Sequence, residues 1–152
     1  MKLKNLIILL IFLFATNCGY QPILSNSNSG DFKLNINKIS GDREIVNLAK
    51  QKLDRFQDNN SNKIYNVEII VNYKKTILTK DATGDISNYR LIAEVIFEIE
   101  GVGIKETYTV KEKFDMKKNE SIFEEKNYEK IIKRNMVNSI IQVFINKLRE
   151  LK

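Results

Sequence analysis

The sequence predicts an α+β fold: a two-layer sandwich in which a four-stranded, mostly antiparallel sheet carries two helices on one face, in the order β-α-β-β-β-α. Four segments alternate apolar and polar residues with the period of two that is typical of half-buried strands. Two other segments repeat apolar residues at helical spacing, one after the first strand and one at the end of the chain. Because each element has one apolar face, packing both helices on the same side of the sheet buries all of these faces together.

The first predicted strand and helix follow each other directly. Phe32, Leu34 and Ile36 alternate with polar residues, which predicts a strand with one buried face. The segment Ser40-Gly41-Asp42 interrupts the alternation, and Asp42 is a suitable N-cap for a helix. That helix has a single apolar stripe, formed by Ile45, Leu48, Ala49, Leu53 and Phe56.

Three further strands are predicted in the middle of the chain. They span residues 65–78, 89–99 and 104–114, where every second residue is mostly apolar. Residues 80–85 are rich in turn-forming types, and Gly101-Val102-Gly103 is typical of a hairpin turn. Because both connections are short, we expect these strands to form an antiparallel meander.

The last predicted element is the longest helix. Ser121-Ile122-Phe123-Glu124 matches a capping box, in which a serine side chain and a glutamate satisfy the first amide groups of a helix. The predicted apolar face consists of Ile131, Ile132, Met136, Val137, Ile140, Ile141, Phe144, Ile145, Leu148 and Leu151. Lys133 and Arg134 are expected on the solvated face of this helix.

The beginning of the chain has the layout of an export signal. Lys2 and Lys4 precede an apolar run over residues 6–15, and the only cysteine, Cys18, follows. A helix of ten residues spans about 15 Å, roughly half of the hydrocarbon core of a bilayer, so we do not expect a permanent transmembrane helix. The segment resembles a bacterial lipoprotein signal, in which the cysteine is acylated. An ordinary secretory signal with an incidental cysteine and a short uncleaved anchor remain the alternatives.

This interpretation divides the chain into three parts. Residues 1–17 are the predicted lipoprotein signal peptide, and residues 18–30 are a lipidated tether that contains the only proline and a Ser/Asn run. Residues 31–152 have the length and the apolar content of one α+β domain.

Composition argues against an enzyme and against a nucleic-acid-binding protein. The chain has no histidine and one cysteine, so the commonest general base and the Ser-His and Cys-His nucleophile arrangements are excluded. The close acidic pairs, Glu124-Glu125 and Glu98 with Glu100, are explained by a first helical turn and an outward strand face. A net charge of +6 suits an anionic surface or ligand but is too small to indicate nucleic acid. We expect no metal site and no cofactor.

The polar face of the predicted sheet is the candidate surface for a partner. Ile70, Ile92 and Ile96 fall on this face among charged residues. Apolar side chains grouped on an outward face favour a covered, partner-binding surface. A simple solvated sheet face is the alternative.

Several motifs together resemble the LPS-assembly lipoprotein E family. They are the start Cys18-Gly19-Tyr20-Gln21-Pro22, the strand entry Tyr89-Arg90-Leu91, the stretch from Asp85 to Glu94, and the long basic C-terminal helix. The resemblance covers essentially all of the chain after the predicted signal. It implies a two-layer fold, a lipid on Cys18 and a location at the periplasmic face of the outer membrane. Gly19, rather than aspartate, directly after the cysteine agrees with that location.

The resemblance also implies a non-enzymatic role and two partners. Members of the family plug a large outer-membrane β-barrel LPS-assembly protein and help to deliver lipopolysaccharide to the cell surface. Lipopolysaccharide has phosphates and carboxylates, which basic side chains can bind. The candidate lipopolysaccharide-binding residues of this chain are therefore Arg90, Lys74, Lys75 and Lys80. The alternative for each is a solubilising role. A lipid-tethered scaffold or pilot lipoprotein of another envelope secretion complex is the alternative function.

Overall fold

The computed structural model describes residues 32–58 and 60–151 and confirms the predicted α+β fold and element order. The strands are β1 (Lys33–Gly41), β2 (Ile64–Lys80), β3 (Ile86–Gly101) and β4 (Ile104–Lys117), and the helices are α1 (Arg43–Leu53) and α2 (Ile122–Glu150). A 3₁₀ turn at Asp54–Phe56 continues α1. The predicted signal peptide, Cys18 and the tether lie outside the described residues. Neither described helix is long and apolar enough to cross a membrane.

The strand order in the sheet is β1-β2-β3-β4, with β1 parallel to β2 and the other neighbours antiparallel. The parallel pair forms because α1 lies in the connection between β1 and β2 and brings the chain back to the same end of the sheet. β1 stops opposite Val71, whereas β2 continues to Lys80. Gly41 ends β1 at φ 118°, where an added Cβ would lie 1.8 Å from the Val71 carbonyl oxygen. Glycine is therefore required where the chain leaves the sheet.

The core lies between one face of the sheet and the two helices, as the alternation predicts. Phe97 of β3 is fully buried and stacks on Phe144 of α2, with ring centroids 3.8 Å apart and an interplanar angle of 6°. A second aromatic group forms where α1 ends: the Phe32 ring lies 5.5 Å from that of Phe56 and 5.9 Å from that of Tyr65. The two groups fix the helices over different halves of the sheet.

Both helix starts use the expected caps, with one difference. Asp42 accepts a hydrogen bond from the Ile45 amide at 3.0 Å. Ser121 accepts from the Glu124 amide at 3.4 Å, but its own amide donates to Asn119 at 3.1 Å rather than to Glu124. Only one half of the predicted capping box forms, because an asparagine in the preceding turn takes the role of the glutamate.

Three predictions of burial were wrong. Ile131 and Phe114, expected in the core, are 52% and 40% exposed, while Lys133, expected in solvent, is 8% exposed. β4 is an edge strand, so side chains that project past it find no further strand to cover them. α2 packs against α1 as well as against the sheet, and its buried face therefore includes Lys133.

Replacing Phe97 with alanine tests the position of the core. We expect Phe97→Ala to lower the free energy of unfolding by about 3–5 kcal/mol, because it removes a buried ring and leaves a cavity against Phe144. Val143→Ala is the control, since Val143 is next to Phe144 on α2 but is 38% exposed. Denaturant unfolding followed by circular dichroism measures both changes, and equal small losses would show that the assigned face is wrong.

Candidate binding surface

The outer face of the sheet, opposite the helices, contains most of the predicted binding residues. In the rows across the strands, Ile70 lies directly opposite Ile96, and Ile92 lies between Lys74 and Lys113. Glu94 separates Ile92 from Ile96 along β3. The three isoleucines therefore do not form a continuous apolar patch: Ile70 and Ile96 form a cross-strand pair, and Ile92 lies apart from them among charged residues.

Charge is divided along this outer face. We call the end with the β2–β3 turn the tip and the end with the β3–β4 turn the base. Lys74, Lys113 and Lys117 lie toward the tip, whereas Glu68 faces Glu98 directly across the strands near the base. With Glu100 beside them and Lys105 as the cation opposite Glu100, these glutamates make the base mainly acidic, whereas the tip half is mainly basic.

A groove of about 610 Å³ opens on the outer face where β1 stops beside β2. Its lining residues are Asp42, Val71, Asn72, Tyr73, Lys74, Ile92, Glu94 and Lys111. Within it, Lys111 donates to Glu94 at 2.9 Å, and the Lys111 ammonium lowers the pKa of Glu94. Lys74 has no ion pair among the described residues, so the groove combines one free cation with the apolar side chain of Ile92.

Arg90, the first predicted ligand for lipopolysaccharide, is engaged with an acidic neighbour. Its Nε and Nη2 atoms donate to the two carboxylate oxygens of Asp115 at 2.7 and 2.8 Å. The hydrogen bonds and the opposite charge raise the pKa of Arg90 and lower that of Asp115. Both side chains are largely exposed, so the pair adds little stability. An anionic ligand would have to displace Asp115 to bind the Nε and Nη2 side of the guanidinium, whereas this pair does not use the Nη1 side.

The other predicted lysines are not grouped with Arg90. Lys75 lies on the helix side of the sheet, where its ammonium is 2.8 Å from Glu125, 2.9 Å from Glu129 and 4.2 Å from the centre of the Tyr89 ring. Burial acts to lower the pKa of Lys75, but the bonds to the two carboxylates outweigh it and the pKa is raised. Lys80 is exposed at the tip and forms no ion pair within the described part of the chain. Lys74 and Lys80 are therefore the predicted ligands that remain free.

Sequence reasoning missed a partly buried charged cluster that joins α1, β2 and α2. The Lys133 ammonium lies 2.9 Å from Glu44, 3.8 Å from Glu129 and 4.0 Å from Asp42, and 4.3 Å from the centre of the Tyr73 ring. The Tyr73 hydroxyl donates to Glu129 at 2.7 Å. The four-residue spacing of Glu129 and Lys133 was the one signal in the sequence.

The pKa values in this cluster show how its charges are maintained. Burial, followed by the bond to Glu129 and nearby carboxylates, raises the pKa of Tyr73 far above its usual range. For Glu129, burial acts to raise the pKa, but bonds from Tyr73 and Lys75 and the charge of Lys133 outweigh it. The pKa of Glu129 is therefore lower than that of an ordinary glutamate. Each charged group has partners, so the cluster fastens the helices to the sheet instead of offering a ligand site.

Comparisons with known proteins give structural matches alone. No protein-family model matches the chain, and no curated protein matches its sequence. Rare lipoprotein B from Shewanella oneidensis has a TM-score of 0.57 at 15% identity, over 79% of this chain and 97% of that chain. The protein shares the fold of this lipoprotein. A minor lipoprotein from Acinetobacter baumannii shares this lipoprotein fold with a TM-score of 0.52 at 19% identity, over 76% and 94% of the two chains. A putative lipoprotein from Caulobacter crescentus has a TM-score of 0.50 at 10% identity, over 83% and 96%.

Removing Lys133 tests the charged cluster. We expect Lys133→Ala to destabilise the protein by about 1–3 kcal/mol, because the carboxylates of Glu44 and Glu129 would lose their shared cation in a partly buried site, while Glu129 keeps its bonds from Tyr73 and Lys75. Lys130→Ala is the control, since Lys130 is exposed on the same helix. Chemical denaturation at pH 7 gives both values. A loss for Lys133→Ala no larger than that of the control would contradict the assigned role.

Proposed function

We propose that this protein is a non-enzymatic outer-membrane lipoprotein that forms the plug subunit of a lipopolysaccharide translocon. Cys18 is its acylated residue, and the domain lies at the periplasmic face of the membrane. The observation that supports this most is the fold shared with rare lipoprotein B over 97% of that chain. It agrees with the family resemblance that begins at Cys18.

The position of the domain start fits an anchored protein. Phe32 and the first residue of β1 lie at the base of the sheet, where Lys33 is paired with Ile64. An anchor that precedes residue 32 would therefore join the domain at the base, at the opposite end from the basic tip. A lipid anchor needs several buried acyl chains for stable attachment, since each CH₂ contributes about 0.8 kcal/mol.

The outer face is chemically suited to the inside of a large barrel. Barrel interiors are polar, and many are filled with water or plugged. The outer face offers them charges of both signs, basic toward the tip and acidic toward the base, with Ile70 opposite Ile96 as an apolar contact. The helices cover the other face, so the protein can contact a barrel wall through the sheet without exposing its core.

The basic half of this face is the proposed contact for lipopolysaccharide. Lys74 and Lys113 flank Ile92, so two cations stand beside an apolar side chain. That arrangement matches an amphiphile with anionic head groups and acyl chains. Arg90 would contribute by exchanging Asp115 for a ligand phosphate, and Lys80 would extend the basic surface to the tip. Lys75 would have to leave Glu125 and Glu129 to take part.

Purification from the cell envelope tests the proposed function. The full chain should remain with outer membranes through an alkaline wash, because acyl chains are held in the bilayer by the hydrophobic effect and a change in pH does not extract them. Mild detergent should then extract it in a one-to-one complex with a large β-barrel protein. A free monomer in the soluble fraction would contradict the proposal. A complex with a barrel of another secretion system would favour the scaffold or pilot alternative.

Charge reversal at Lys74 tests the proposed ligand contact. We expect Lys74→Glu to weaken binding of purified lipopolysaccharide by at least about tenfold, since it removes a charged contact and adds a repulsive one. Lys105→Glu is the matched control, because Lys105 lies on the same face at the acidic base. Equilibrium binding of both variants to the same lipopolysaccharide preparation is the measurement. Equal effects of the two changes would show that no local site exists at Lys74.

A further inference from the structure

The outward side of β4 exposes an unpaired row of backbone groups. The Lys118 amide donates to the Ser87 carbonyl at 2.9 Å, and this pair continues the register in which Asn88 faces Lys117. In an antiparallel pair, hydrogen-bonded and non-bonded positions alternate. Even-numbered residues of β4 therefore bond to β3, and the odd-numbered ones direct their N–H and C=O groups away from the sheet. Across residues 32–58 and 60–151, no strand pairs with that edge.

An apolar groove lies beside the tip half of this edge. It has a volume of about 380 Å³ and lies between β4 and α2, with Phe114, Tyr128, Ile131, Ile132, Met136 and Ser139 among its lining residues. Phe114, Tyr128 and Ile131 are 40%, 45% and 52% exposed. The rings of Phe114 and Tyr128 meet edge to face at 6.4 Å and together form one part of the groove wall.

The other side of the same strand segment is basic. Lys113 and Lys117 alternate with Phe114 and Met116 along β4, so they project from the outer face. Neither lysine forms an ion pair with a residue that the structure describes. A chain lying along this edge would therefore meet an apolar groove on one side and free cations on the other.

We propose that the β4 edge is a docking site for an extended segment of a partner protein, which joins the sheet as a fifth strand. Its alternate side chains are apolar toward the groove and acidic toward Lys113 and Lys117, because successive strand residues point to opposite faces. The inference rests on the proposed function, since the partner is the barrel protein proposed above.

The observations favour a strand over other occupants. An acyl chain or a helix could fill the groove but would leave the outward N–H and C=O groups of β4 without partners. A second copy of this chain would bring another lysine-rich β4 against Lys113 and Lys117, and lysines on an edge oppose such pairing. The free part of β2 beyond Val71 is less suited to an apolar strand, because the side chains beside it on the helix side, Tyr73 and Lys75, form a polar cluster with Glu129, whereas β4 lies beside the apolar groove.

Proline substitution on the edge tests the docking site. Lys113→Pro removes one outward N–H in the groove region together with the Lys113 ammonium, and it is compared with Lys113→Ala, which removes the ammonium and keeps the N–H. Proline is tolerated at such positions of an edge strand. Thr107→Pro is the matched control, because Thr107 has the same outward orientation but lies toward the base, outside the groove. With the full chain, Lys113→Pro should reduce the barrel protein recovered by at least tenfold and Thr107→Pro by less than twofold. Equal recovery would overturn the inference.

Amide exchange at single-residue resolution gives an independent readout that needs no proline. In the complex, the amides of Lys111 and Lys113 should exchange at least tenfold more slowly than in the free chain, while those of Val110 and Glu112 are slow in both. If neither the Lys111 amide nor the Lys113 amide exchanges more slowly in the complex, the inference is overturned. A dimer of this chain without barrel protein that protects the same amides would also overturn it.

If the wild-type chain binds no barrel protein, the proposed function fails as well; if it binds normally and only these effects are absent, the docking site alone is wrong.

Discussion

The packing of one apolar sheet face against two helices is the constraint on which the rest of the structure depends. The contact of Phe97 with Phe144 lies at its centre, and each fully buried side chain of this size contributes about 1.5–3 kcal/mol. Since successive residues of a strand point to opposite faces, this single choice of face also determines which side chains are left outside. A shift of one residue in register would turn Lys74 and Arg90 inward. The binding surface is thus defined by the core.

Charge is used differently on the two sides of the sheet. On the helix side, Lys75 and Lys133 are surrounded by carboxylates and serve to fasten α1 and α2 to β2. On the outer side and along β4, Lys74, Lys113 and Lys117 have no such partners among the described residues. A lysine without a partner can bind an anion without first breaking an ion pair within the protein. These residues are therefore the ones that a lipopolysaccharide or an acidic protein segment can bind. The proposed function and the proposed docking edge both follow from this difference.

Local pattern was sufficient to predict the type, order and buried face of each element, because these depend on periodicity within one segment. The errors have tertiary causes. Ile131 and Phe114 fit the apolar pattern but project past the last strand, and nothing in their own segments shows where the sheet ends. Lys133 fits a solvated face until α1 is packed beside α2. The pairing of Arg90 with Asp115 depends on the β3–β4 register, which the sequence positions alone do not specify.

Lysine reactivity in the proposed complex with the barrel protein tests the central claim, that the outer face and the β4 edge are the binding side. The measurement compares acylation rates of individual lysines in the free chain and in the complex by mass spectrometry. The account predicts that Lys74 and Lys113 lose most of their reactivity, while Lys50 on α1 and Lys126 on α2 keep most of theirs. Loss of reactivity at Lys50 and Lys126 with unchanged Lys74 and Lys113 would show that the helices bind the partner and would contradict the account.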